Sequence, residues 1–205
     1  MAIAGTPTSQ TLAQRIVPRQ GILENAWVYN LMLTVLGSWF VALLAQISIP
    51  LGFTPVPITG QTLGVLLVGS LLGTRLGTLA LLLYVAQGAI GLPFFADGNS
   101  GVQVLYGSTA GYIFGFVLAA ALTGWLAERG WDRKVSTTVL SMVLGTVLIY
   151  VPGVLWLAGF VGGLGEAMVL GVLPFLLGAV IKIAVAAGVL PGAWKLLGSE
   201  KTRGS

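Results

Sequence analysis

The sequence predicts an all-α integral membrane protein, a single bundle of six transmembrane helices with both termini cytoplasmic. Three observations predict it. The 205 residues are 56% hydrophobic and 8% charged, with a mean hydropathy of +0.96, whereas a soluble domain carries about a quarter charged residues. Apolar runs near 26–49, 58–73, 75–91, 109–127, 136–157 and 174–190 approach or reach the roughly 20 residues that a spanning helix needs. Apart from Lys182, every lysine and arginine lies before, after or between alternate runs.

Residues 1–25 form a polar segment without the apolar stretch of a cleavable signal peptide. The first run therefore acts as its own insertion signal. A transmembrane domain over 26–195 and a flexible tail over 196–205 complete the expected organisation. The first run carries Ser38 and Ala42 four residues apart, with Ala45 on a nearby face. Small residues at that spacing let helices approach closely, so the stripe either packs internally or docks a partner's helix.

The second and third runs, ITGQTLGVLLVGSLLG and RLGTLALLLYVAQGAIG, are short for spans and meet at Gly73, Thr74 and Arg75. A charge at that junction favours two helices with a tight turn over one long helix. Gly69/Gly73, Gly73/Gly77, Gly107/Gly111 and Gly111/Gly115 repeat the four-residue spacing of close helix packing.

Arg15 and Arg19 precede the first run, Arg75 separates the second and third, and Arg129, Arg133 and Lys134 separate the fourth and fifth. Lys195, Lys201 and Arg203 follow the sixth. The positive-inside rule places all of these in the cytoplasm, which gives a multi-pass membrane protein with both termini inside. The opposite connections, 50–57, 92–108 and 158–173, hold no Lys or Arg and only Asp97 and Glu166 as charges. Pro50, Pro55 and Pro57 stiffen the first of them, and Thr59 can cap the helix that follows. Together the three can form a lid over an outward-facing pocket.

The chain has neither cysteine nor histidine, which removes disulfides, the usual zinc sites and imidazole bases. No supporting pattern accompanies its serines, and no G-x-x-x-x-G-K-[ST] motif is present. We expect no enzyme, no metal, no cofactor and no nucleic-acid partner; the positive charge serves topology. Active transport, if it occurs, then draws on partner subunits or an ion gradient.

The last run, PFLLGAVIKIAVAAGVL, is apolar except at Lys182. Eight residues beyond Pro174, or about 12 Å along a helix, this ammonium lies too deep for an ordinary end anchor. An ionisable group there marks a binding site by default; the alternative is a structural lysine that reaches toward the interface. Gln61, Asn99, Ser100 and Tyr112 offer uncharged polar groups, and Phe53 and Tyr84 offer apolar walls. The set suits a small ligand with one negative end and an apolar body.

PVPITGQTLGVLLVGSLLG from Pro55, LLLYVAQGAIGLPFFADG from Leu81, GSTAGYIFGF from Gly107 and PFLLGAVIKIA from Pro174 resemble the BioY family, the biotin-specific S component of energy-coupling factor (ECF) transporters. The similarity covers about residues 35–190. It implies an S-component-like bundle in the lipid bilayer that captures biotin from outside. It also implies uptake driven by a transmembrane coupling subunit and two ABC-type ATPases. Ser38-x-x-x-Ala42 resembles the family's A-x-x-x-A surface for the coupling subunit. Lys182 is implied as a biotin contact, with the bicyclic head among Tyr84 and Tyr112.

One departure concerns Ala179. The family's G-D-x-x-K pattern reads Gly178-Ala179-Val180-Ile181-Lys182 here. Biotin's ureido N–H groups must then meet Gln, Asn, Tyr, a backbone carbonyl, or a loop carboxylate such as Asp97 or Glu166. A vitamin carrier acting alone, or an S component for a related carboxylate, is the alternative reading.

Overall fold

The structure, a computed structural model, describes residues 10–199. Seven helices follow one another among them: α1 (Leu12–Ile16), α2 (Ala26–Ala45), α3 (Gln61–Ala89), α4 (Ala110–Ala127), α5 (Val135–Val161), α6 (Leu164–Gly171) and α7 (Leu176–Ser199). Two-residue strands β1 (Ser48–Ile49) and β2 (Ile58–Thr59) pair antiparallel, Ser48 opposite Thr59, and close the connection between α2 and α3. Four helices, α2 to α5, and the stretch Leu164–Leu197 are each long and apolar enough to cross a membrane.

Asn25 starts α2, its side chain accepting a hydrogen bond from the Trp27 N–H at 2.9 Å, the usual device for an otherwise unpaired amide at a helix start. The helix ends at Ala45, and a turn at Gln46, whose N–H donates to Leu43 O, leads into β1. In α3 the backbone leaves helical geometry at Gly73, with φ 82° and ψ 178°, a conformation that glycine adopts without the clash of a Cβ. Limbs 61–72 and 74–89 fold back on each other there. Gln61 Nε2 donates to Tyr84 Oη at 2.5 Å, although a continuous helix would hold those residues about 34 Å apart. A Cβ on Gly77 would lie 2.9 Å from Gly69 Cα.

Glu128, just past α4, fixes this turn. Its carboxylate accepts from the Thr74 N–H at 2.8 Å and from Thr74 Oγ1 at 2.9 Å. An acid at the start of the second limb satisfies a free amide and complements the helix dipole. Helix α4 is the central element, buried over 67% of its length between α3 and α5. A Cβ on Gly69 would come within 2.6 Å of Ala120 O, and one on Gly115 within 2.9 Å of Ile149 Cα, so glycine sets both seams. Val65, Leu66, Leu81, Ile113, Phe116, Met142 and Ile149 fill the space between them.

Three expectations change. The connection 158–173 is mostly helical: Gly162 and Gly163, with φ 92° and 126°, end α5, and the helix-forming stretch that follows builds α6. Part of the N-terminal segment is docked rather than merely polar. Leu12 is 2% and Ala13 7% exposed, α1 packs against α3 and α7, and a capping box joins Thr11 and Gln14. Finally, α7 continues through Pro191 to Ser199, past the expected start of a flexible tail at 196; residues 200–205 and 1–9 lie outside the described part.

At the end that carries Arg15, Arg75 and Arg133, the side chain of Asp132 is 2% exposed and accepts from Trp194 Nε1 at 2.6 Å. Arg133 and Arg15 lie 4.5 Å and 5.8 Å from the Trp194 ring centroid, within cation–π range. Burial raises the Asp132 pKa, an effect that the Trp194 hydrogen bond partly opposes.

Candidate functional site

At the opposite end, the first turns of α3 and α4, the connections 50–57 and 92–108 and the start of α7 enclose a cavity of about 360 Å³. Thr54 Oγ1 donates to Leu170 O at 2.9 Å and ties the first connection to α6. Trp156 Nε1 donates to Gly107 O at 2.9 Å and ties the second to α5. The loops that the sequence marks as a lid therefore form walls held by hydrogen bonds.

Lys182 lines the cavity from α7. Its Nζ donates to Thr59 O at 2.5 Å and to Thr62 Oγ1 at 2.7 Å. Neither partner is charged, so no carboxylate is paired with Lys182 at the cavity wall. Gln61, 6% exposed, also lines it. Its Oε1 accepts from Thr59 Oγ1 at 3.1 Å and its Nε2 is spent on Tyr84.

Tyr84 is fully buried behind this wall, stacked on Phe94 at 6.4 Å and edge-on to Phe95 at 5.7 Å. It positions Gln61 and Phe95 and does not itself line the cavity. Tyr112 does line it, donating its hydroxyl to Gly171 O at 2.9 Å and meeting Tyr150 edge-on at 6.5 Å. Asn99 is on the wall, with Nδ2 turned to Ala96 O at 2.8 Å.

The remaining candidates lie elsewhere. Ser100 is off the wall, its carbonyl accepting from Gln103 Nε2 at 2.8 Å. Phe53 is 63% exposed and does not line the cavity. Ala179 is half-buried one turn before Lys182 and does not line the cavity. Glu166 sits exposed in the first turn of α6, where a Cβ on Gly162 would lie 3.3 Å from its Oε2.

Ser38, Ala42 and Ala45 are 0%, 6% and 0% exposed, and Ser38 Oγ lies 2.9 Å from Gln87 Oε1. All three are buried within the chain, and Ser38 meets α3 through Gln87. The wall also includes Thr62 and Phe175, which sequence reasoning passed over. A hydroxyl beside Gln61 on the first turn of a helix was the available signal for Thr62. Among the described residues no group of three His, Cys, Asp or Glu could hold a metal ion, and the arrangement suits binding through one cation, several amides and aromatic faces.

The sequence profile of the BioY family matches residues 14–199. The chain belongs to the BioY family. Among its relatives, the biotin transporter BioY of Thermotoga maritima is 43% identical over 155 residues, covering 76% of this chain and 85% of that protein. The biotin transporter BioY of Rhizobium etli is 39% identical, covering 77% and 89%. The probable biotin transporter BioY of Pyrococcus horikoshii is 42% identical, covering 72% and 86%. A crystal structure of the S-component for biotin from an ECF-type ABC transporter superposes with a TM-score of 0.73 at 26% identity, covering 83% of this chain and 93% of that one. The BioY fold in this chain is thus all-helical, with the S-component arrangement of its helices.

Proposed function

We propose that this BioY protein captures biotin and passes it across the cytoplasmic membrane as the substrate-specific subunit of an ECF-type transporter. The observation that carries this reading is Lys182, a lysine in a membrane helix that lines the cavity with only uncharged partners. A volume of about 360 Å³ lies in the range of small-ligand pockets, and names shared by relatives at 39–43% identity support biotin as the occupant. Lys182, Gln61, Asn99 and Tyr112 bind the ligand directly, and Tyr84 supports Gln61.

In this reading the two limbs of α3 cross separately, which with α2, α4, α5 and α7 makes six crossings. The basic end faces the cytoplasm with both termini, and the cavity opens outward. The likeness to the S-component of an ECF-type ABC transporter supports a transmembrane coupling subunit and two ABC-type ATPases as the source of energy. The test is calorimetry of the purified protein with biotin, with mass spectrometry of whatever co-purifies. Saturable 1:1 binding is expected; a different co-purifying carboxylate and no biotin binding would overturn the assignment.

A further inference from the structure

We infer that Asp97 is a ligand-binding residue of this cavity, the carboxylate that accepts an N–H donor of the bound molecule. The inference rests on the biotin reading above and adds a residue to its site. Two side chains on the cavity wall carry formal charge, Lys182 from α7 and Asp97 from the 92–108 connection. A ligand whose ureido group has two N–H donors needs acceptors, and three oxygens on the wall already accept a bond from the protein. Thr59 O is taken by Lys182, Gly107 O by Trp156, and Gln61 Oε1 by Thr59. Asn99 and Gln103 commit amide donors to Ala96 O and Ser100 O, which leaves their side-chain oxygens as neutral acceptors beside the one carboxylate on the wall. No carboxylate comes from the helix of Lys182, where position 179 is alanine. The Asp97 carboxylate, with about four lone-pair sites, has no hydrogen bond or ion pair among the described residues.

The backbone makes the same point independently. Asp97 has φ 59° and ψ 26°, and it is the one non-glycine residue with positive φ among the described residues. Gly98 follows with φ 69°. Glycine would occupy position 97 with less strain, so the side chain is kept against the local preference of the chain, as happens at functional sites. The turn that presents it is pinned: Phe95 N donates to Asn99 O at 3.0 Å, Asn99 N donates to Ala96 O at 3.1 Å, and the Phe95 ring is buried against Tyr84.

The test uses the full chain in detergent, titrated with biotin and with 2-iminobiotin, whose guanidinium is cationic at neutral pH. Asp97→Asn keeps the shape and tolerates the backbone; Asp97→Gly removes the side chain and relieves the backbone. Loss of one charge-assisted hydrogen bond predicts biotin binding weakened by about 10- to 100-fold in both variants, with a melting temperature in Asp97→Gly equal to or above that of the wild type. The loss for 2-iminobiotin exceeds that for biotin in Asp97→Asn, because the cation loses a charge partner. Wild-type affinity in both variants would make Asp97 a turn residue only, and equal losses for the two ligands would overturn its role as an anionic acceptor. A wild-type protein that fails to bind biotin would instead overturn the biotin reading on which the inference stands.

Discussion

Replacing Lys182 by methionine removes the ammonium from the cavity and keeps a long unbranched side chain in its place. Two effects on folding oppose each other. The bonds to Thr59 O and Thr62 Oγ1, at 2.5 and 2.7 Å, each contribute about 1.5–3 kcal/mol, as expected for a charged donor. Holding an ammonium inside a membrane helix costs at most about 2.5–3.5 kcal/mol on insertion scales, the value at the helix centre. The bonds outweigh that cost, so the unliganded protein loses about 1–2 kcal/mol. Ligand binding has no such compensation. One charge-assisted contact is lost, and biotin affinity falls by about 10- to 100-fold. Calorimetry on detergent-purified protein measures the affinity, and thermal unfolding of the same sample checks the fold. Lys182→Arg keeps the charge but not the compact ammonium, and is expected between the two. A folded Lys182→Met protein that binds biotin within about threefold of wild type would refute the reasoning.

Three further outcomes follow from the same geometry. Gly69→Val places a side chain where Ala120 O and Thr123 already stand, so α3 and α4 separate at a cost of about 3 kcal/mol, visible as a lower melting temperature or aggregation on size exclusion. Ala179→Asp adds a carboxylate one turn before Lys182, and we expect it to tighten biotin binding by about tenfold; unchanged or weaker affinity by calorimetry would contradict that. The Asp132 pKa is raised above its ordinary value of 3.8, by burial first. Its contribution is therefore fully present below that ordinary value and is lost as pH rises through the raised one. Asp132→Asn should flatten the decline of melting temperature with rising pH across that window, measured against the wild type.

Much of this was legible because membrane insertion constrains sequence so strongly. Long apolar runs and alternating basic connections gave the helices, and Arg75 beside Gly73 gave the break in α3, since a charge and a flexible residue coincide where the chain reverses. Lys182 stood out for the same reason, as a cost without a visible return. What stayed hidden depends on partners distant in sequence. Glu128 caps the α3 turn from 54 residues away, and Gln87 decides from 49 residues away that Ser38 faces inward. Tyr84 and Phe53 look alike as aromatic candidates, yet one is fully buried behind Gln61 and the other 63% exposed. Composition does not tell which way a ring points. The helix α6 escaped because its glycine-rich lead-in reads as loop, although those glycines only end the helix before it.

The seat of α1 bears on how the molecule is assembled during synthesis. A Cβ on Gly73 would lie 2.9 Å from Thr11 Cγ2, and Arg15 lies over the ring of Trp194. Helix α1 thus rests on a turn and on a helix that both follow it in the chain. Docking of α1 must wait until α7 has inserted, and it then brings the first and last described helices together. A truncated or stalled product has α1 but only part of its seat, so an exposed α1 would mark unfinished chains and a covered one would mark a completed bundle.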